Sequence, residues 1–292
     1  MKKTTLIKIL GYSLLFSFSC HASYKTYEAE LSESQWIFSG NPLNCQLSHQ
    51  IPRYGEAIFN RQAGRKQPLQ FNLHYKRHPV SQVKIASIES LSPAWFPHRR
   101  ARPMGQTPIR QGESIFKSSQ VESWKLLNEL EDGRFPTFRY QAFDSIQDQV
   151  AVSLSSVGFN QPFDQFLNCL SSLVPFKLHE LQRLTLHFDF DKASIRKNYL
   201  NQLKALAAYV RYDPSIEVVF ISGYTDSKGP RGYNHKLSKK RIAAVQEILS
   251  LDGVSTARFK TLPFGEKNPV ASNRKAAGRA KNRRVYIRVS QK

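Results

Sequence analysis

The hydrophobic periodicity of this chain changes near residue 175, and that change limits what it can fold into more than any other feature. Upstream, apolar residues alternate in short runs, as in Leu69-x-Phe71-x-Leu73-x-Tyr75 and Val150-x-Val152-x-Leu154. Period two over a short run marks a half-buried strand. Gly40, Pro42, Pro52, Gly55 and Gly64, then Pro93, Pro97 and Pro103, interrupt the pattern often. Short strands with frequent turns predict a mainly antiparallel β domain over residues 23–175, with Pro162–Leu173 as a short closing helix. Downstream the pattern mixes periods. Leu184, Leu186, Phe188 and Phe190 alternate as a strand. Ala193–Tyr212 places Ile195, Tyr199, Leu203, Leu206 and Val210 at helical spacing. Glu217–Tyr224 is a compact apolar strand, Gly232–Ser250 a second helix, and Phe259–Phe264 and Arg284–Val289 two more strands. Strand, helix, strand, helix, strand, strand predicts an α/β sandwich over residues 176–292, one sheet with helices on one face. No internal repeat or low-complexity linker separates the halves.

The N-terminus bounds the compartment. Lys2, Lys3 and Lys8 precede an apolar run from Ile9 to Phe18, and Cys20-His21-Ala22 offers small residues at a cleavage site. This is the pattern of a secretory signal peptide over residues 1–22. The run is shorter than the roughly 20 residues a bilayer span needs. A lipoprotein reading of Cys20 meets Ser17 where a lipobox wants Leu. No later stretch is apolar enough to span a membrane, so the mature chain is expected in a Gram-negative-type periplasm. Cleavage leaves Cys45 and Cys169. An even count in an oxidising compartment reads as a disulfide, the alternative being two separate buried thiols.

Charge divides as unevenly as periodicity. The chain carries +21, and residues 180–292 hold 23 Lys and Arg against 9 Asp and Glu, whereas residues 23–179 hold 17 against 13. A basic domain invites a nucleic-acid reading, but export removes that partner. Anionic cell wall and lipopolysaccharide remain, and the same long-range attraction serves for either. Enzyme machinery is not found. No His-Glu-x-x-His or other dense zinc spacing occurs. His74 and His78 lie in a strand-like run, and bridged cysteines offer no nucleophile. Asp189 and Asp191 alternate onto one side of a strand, which does not establish a glycosidase pair. The expectation is a binding protein without metal, cofactor or catalysis.

The second helix contains an anomaly. Leu237, Arg241, Val245 and Ile248 fall on one face, which should be buried. Arg241 is then a permanent cation in an apolar stripe, costly unless paired and hydrogen-bonded. Asn234 lies two turns earlier, and the loop before the helix carries Thr225 and Asp226. Two readings stay open. Asp226 and Arg241 form an internal ion pair, or they stand apart to receive an amino-acid end, its ammonium facing the carboxylate and its carboxylate in the guanidinium fork.

Five segments occur in order: Phe188-Asp189-Phe190-Asp191, Gly223-Tyr224-Thr225-Asp226, Tyr233-Asn234-His235-Lys236-Leu237-Ser238-Lys239-Lys240-Arg241, Phe264-Gly265-Glu266-Lys267-Asn268-Pro269 and Asn282-Arg283-Arg284-Val285. Together they resemble the OmpA-like peptidoglycan-binding domain. The resemblance implies that Asp226 and Arg241 clasp the diaminopimelate of the wall peptide, with Thr225, Asn234, Asp191 and Arg283 around them. Arg283 is preferred to Arg284. Ile242 departs from the family, which usually has Ala after the Arg, and so predicts a crowded helix. Upstream, Ser34-Gln35-Trp36, the stretch Pro42–Pro52 with Cys45, Pro103-Met104-Gly105, Gly133–Phe138 and Val150–Val157 before Cys169 resemble the MotY family of periplasmic flagellar-motor accessory proteins. That resemblance implies an N-terminal domain that joins a ring at the flagellar basal body and supports stator units, while the C-terminal domain anchors it to peptidoglycan. The alternative is a wall-anchored envelope protein unrelated to motility.

Overall fold

The computed structural model describes residues 24–76, 85–93, 95–96, 100–110, 112, 114–143 and 148–292. The signal segment, His78 and Pro97 lie outside the described residues. The N-terminal half contains β1 (Tyr24–Tyr27), β2 (Trp36–Asn41), β3 (Asn44–Ile51), β4 (Gly55–Gln62), β5 (Gln70–Tyr75), β6 (Ile85–Leu91), β7 (Arg102–Pro108), β8 (Ser114–Lys117), α1 (Gln120–Glu131), β9 (Phe135–Gln141), β10 (Gln149–Ser153) and α2 (Asn160–Ser172). Two five-stranded sheets result, ordered β1-β10-β9-β6-β7 and β2-β3-β4-β5-β8. All pairs are antiparallel except β1 with β10.

The alternating residues build the core between these sheets. Phe138 of β9 stacks on Phe71 of β5 at 5.6 Å and on Phe116 of β8 at 5.0 Å, all three fully buried. Rings of this size dominate a core by the apolar area they remove from water. Buried hydroxyls find partners as they must, with Tyr54 and Tyr140 sharing a hydrogen bond of 2.8 Å. The α2 helix lies over β2 and β3, and the Cys45–Cys169 disulfide staples it to β3 across 124 residues, with Cα atoms 5.9 Å apart. The predicted closing helix and the bridge are both present.

The structure departs from the sequence reading at α1, a helix in a region read as strands. Its signal was legible. Ser119 and Glu122 form a capping box, the Ser119 N–H donating to the Glu122 carboxylate at 2.8 Å and the Glu122 N–H to Ser119 Oγ at 3.4 Å.

The C-terminal half contains α3 (Leu178–Leu181), β11 (Arg183–His187), α4 (Leu200–Tyr212), β12 (Ile216–Tyr224), α5 (Arg231–Leu251), β13 (Phe259–Gly265), α6 (Ala276–Asn282) and β14 (Arg284–Gln291). The sheet order is β11-β14-β12-β13. The α5 helix is the crossover that a parallel β12–β13 pair requires. Leu203, Leu206 and Val210 of α4, Ile242, Val245 and Leu249 of α5, and Val219, Ile221, Val285 and Ile287 of the sheet form one buried cluster. The halves meet where Gly64 N–H donates to Val174 O at 2.8 Å and Val174 N–H to Pro42 O at 2.9 Å. Ala63 and Val174 belong to the C-terminal cluster.

Two expected boundaries move. The strand ends at His187, so Phe190 is not in it and Asp189 and Asp191 do not share a strand side. Asp191 turns the chain with φ of +58°, a conformation that Asp tolerates better than most residues. The first helix starts at Leu200 rather than Ala193, after one 3-10 turn at Lys197–Tyr199. The residues before it are tied back to the turn. Arg196 donates to the Asp189 carboxylate at 2.6 Å, and His187 N–H to the Tyr199 hydroxyl at 3.2 Å.

Candidate functional site

The loop after β12 enters the N-terminus of α5, and close packing sets its position. A Cβ on Gly223 would stand 2.6 Å from the Ser238 carbonyl and 2.9 Å from Ile242. The bulk that Ile242 brings is therefore accommodated by the missing side chain at Gly223. Thr225 N–H donates to Gly265 O at 2.7 Å, joining the ends of β12 and β13. At this end of the sheet a cavity of about 290 Å³ opens. Asp191, Thr225, Asp226, Asn234, Arg241 and Arg283 all line it, beside Phe190, Lys228, Tyr233 and Leu237.

Arg241 is fully buried, yet it has no carboxylate partner among the described residues. Its guanidinium donates to three main-chain carbonyls instead: Lys192 through Nε at 2.9 Å, Tyr224 through Nη1 at 2.7 Å and Asp189 through Nη2 at 3.3 Å. It also stands 5.1 Å from the centre of the Phe188 ring. Of five N–H donors, three are occupied and two remain. Burial, and then the nearby Arg283 cation, push its pKa down to about 10, against the opposing pull of Asp226 and Asp191. It stays cationic at neutral pH.

Asp226, also buried, pairs with Arg283 rather than Arg241. Its Oδ2 accepts from Arg283 Nη1 at 3.0 Å and its Oδ1 from the Lys228 N–H at 3.1 Å. An internal Asp226–Arg241 ion pair is therefore absent. Arg283 is further held by Phe188 O at 3.1 Å. Arg284 points away from the cavity, over the Tyr224 ring at 3.7 Å. Asn234 donates through Nδ2 to Glu266 at 2.8 Å, which fixes the next loop. Asp191 accepts a short hydrogen bond from the Tyr233 hydroxyl, and this contact raises the Tyr233 pKa.

Three cations (Lys228, Arg241, Arg283) and two carboxylates (Asp191, Asp226) thus share one small cavity. Tyr233 opens the helix motif but is not among the site residues that the resemblance implies, although it precedes Leu237 and Arg241 by four and eight residues and so lies near their helix face. Phe190 falls in a period-two pattern but lies beyond the end of β11, and Lys228 belongs to no periodic pattern. Among the described residues no helix is long and apolar enough to cross a membrane.

Comparison with known proteins returns two family models in tandem. The MotY N-terminal domain matches residues 27–175, and the OmpA family matches residues 187–283. The sodium-type flagellar protein MotY of Vibrio parahaemolyticus is 31% identical over 288 residues, covering 98% of each chain. Outer membrane porin F of Pseudomonas fluorescens is 43% identical over 106 residues, or 36% of this chain and 32% of the porin. Among solved structures, the peptidoglycan-associated lipoprotein from Burkholderia pseudomallei is 35% identical over 36% of this chain and 89% of its own, with a TM-score of 0.35.

Proposed function

The chain belongs to the MotY family, with an OmpA domain following the MotY N-terminal domain, and from that membership we propose that it is a structural, non-catalytic component of the flagellar motor, held to peptidoglycan in the periplasm. The observation that carries the wall-binding part is Arg241, a buried guanidinium that has two unused donors and no carboxylate partner among the described residues, in one small cavity with Asp226. Burying a cation in this way leaves an electrostatic demand that an incoming carboxylate meets. The side-chain end of diaminopimelate in a wall stem peptide offers an ammonium and a carboxylate on one carbon. The carboxylate goes to Arg241 and the ammonium to Asp226, with Asp191, Thr225, Asn234 and Arg283 framing the cavity.

The N-terminal domain supplies surfaces for the basal body and the stator units. In this reading the chain joins a ring around the basal body, and the OmpA domain ties that ring to the wall. Deletion should leave filaments assembled and stop or slow swimming, because the defect lies in holding torque units. A fluorescent fusion of the full chain should form foci at flagellar bases. Normal swimming of the deletion strain, or an even periplasmic spread of the fusion, would replace the motor reading with that of a general wall anchor.

A further inference from the structure

The sheet face opposite the helices carries a second charged feature, distinct from the cavity. One row of cross-strand partners runs over all four strands as Arg183, Arg288, Phe220 and Lys260. Arg288 lies 4.6 Å from the centre of the Phe220 ring and Lys260 lies 5.8 Å from it. Arg183, Arg288 and Lys260 are all exposed. None has a carboxylate partner among the described residues. The four strands contain a single acid, Glu217, at the irregular start of β12. Like charges directly opposite on neighbouring strands destabilise a sheet, and Arg183 faces Arg288 in this way. Aromatic contact offsets part of that repulsion for Arg288, but Arg183 has no such ring contact among the described residues.

We propose that this face is a second wall-contact surface, on which exposed cations meet the carboxylates of stem peptides next to the one held in the cavity. The proposal rests on the wall-binding reading above. Arg283 lines the cavity, and the next residue, Arg284, turns to the opposite side, where it is buried over the Tyr224 ring. Four residues along β12 from Tyr224 lies Phe220, about 13 Å at strand rise. The row therefore lies on the same domain as the cavity, at a distance that neighbouring stem peptides of a polymer held there can span. Many weak contacts to one repeating polymer raise the effective affinity without any deep pocket. They are also screened by salt, unlike a buried clasp.

The test compares the full mature chain with an Arg183→Gln/Lys260→Gln/Arg288→Gln variant, which removes charge and retains hydrogen-bonding side chains. Binding to purified sacculi is measured at low and high salt, alongside titration with free diaminopimelate and a thermal melt. The expected result is a loss of sacculus binding of roughly tenfold or more at low ionic strength, taking each near-surface cation as contributing about the same modest increment. At ~1 M salt, where the Debye length is about 3 Å, the loss should shrink below about threefold. Binding of free diaminopimelate should be unchanged, and the melt should not fall by more than a few degrees, because relief of the Arg183–Arg288 repulsion offsets the lost aromatic contacts. Unaltered sacculus binding at every salt, with the cavity still taking diaminopimelate, overturns the second surface and leaves the first reading standing. Capture by vesicles of anionic phospholipid that the variant loses, with sacculus binding intact, overturns it in favour of a membrane contact. Failure of the unsubstituted chain to bind either sacculi or diaminopimelate sinks the wall reading itself.

Discussion

Replacing Asp226 with Asn changes one charge and almost no volume, and its consequences can be worked from the contacts. The carboxylate now accepts from Arg283 Nη1 at 3.0 Å on one oxygen and from the Lys228 N–H at 3.1 Å on the other. An amide has one acceptor oxygen, so one contact must go and an NH₂ must face a donor. A hydrogen bond to a charged group contributes about 1.5–3 kcal/mol. Arg283 keeps its bond to Phe188 O and is partly solvated, so the loss should stay within that range rather than approach the 3–5 kcal/mol of a fully buried broken pair. For a domain near 100 residues, 1 kcal/mol moves Tm by about 4–8 °C. The OmpA-domain transition should therefore fall by roughly 6 °C or more and remain cooperative. Binding should suffer more, because the ligand ammonium loses its counter-charge in a desolvated cavity. Truncating one partner of such a pair costs about 2–5 kcal/mol, or roughly 30-fold to several thousand-fold in Kd. Sedimentation with sacculi and a calorimetric scan on the same sample read both quantities. A folded Asp226→Asn protein that binds within twofold of the parent would refute the assignment of the ammonium to Asp226.

Arg241→Ala should abolish binding of free diaminopimelate, weaken sacculus binding and also destabilise the domain by about 2–4 kcal/mol, because three main-chain carbonyls lose a charged donor; Arg241→Lys should restore part of the stability without the diaminopimelate binding, measured by denaturant titration. Cys45→Ser should lower the stability of the N-terminal domain by about 2–5 kcal/mol, and two alkylatable thiols in parent protein taken from the periplasm would exclude the bridge. His49 is buried against Trp36 at 4.7 Å, donates through Nδ1 to Gln35 O at 3.0 Å, and has no partner at Nε2 among the described residues. Burial lowers its pKa below the ordinary 6.5, so the unfolded chain binds the extra proton and stability falls as pH drops below about 6.5 toward the folded value. His49→Phe should flatten that acid limb of the melting curve, and an unchanged limb would assign the sensitivity elsewhere.

What was legible in the sequence follows from what local pattern encodes. Strand β5 is legible through alternation, because it buries one face; β10 alternates in sequence although the structure covers both its faces, and β12 is legible as a compact apolar run. Helix α5 is legible through an apolar stripe, and the charge interrupting that stripe marks the site. The six framing residues were found by motif, and the structure brings all six to one cavity. The pairing within it was not legible. Asp226 lies beside both Arg241 and Arg283, and only the turn of the chain after β11 and the exit of α6 decide which guanidinium reaches it. That turn rests on Asp191 in a left-handed conformation, for which period-two alternation through Phe190 gave a false strand. Helix α1 differs, because its signal is present in the sequence: Leu126, Leu127 and Leu130 sit on a buried stripe, and Ser119 with Glu122 forms a capping box at its start.

The central claim is that the cavity takes an amino-acid end, with carboxylate and ammonium on one carbon. Calorimetric titration of the full mature chain with soluble, uncross-linked muropeptides tests it most directly, comparing stem peptides that carry diaminopimelate with otherwise identical ones that carry lysine. Lysine presents the ammonium without the carboxylate, so Arg241 would stay unpaired. The account predicts saturable binding of the diaminopimelate form and binding of the lysine form weaker by at least about tenfold, the equivalent of ~1.4 kcal/mol. Equal affinity for the two, or no binding of either, would contradict it.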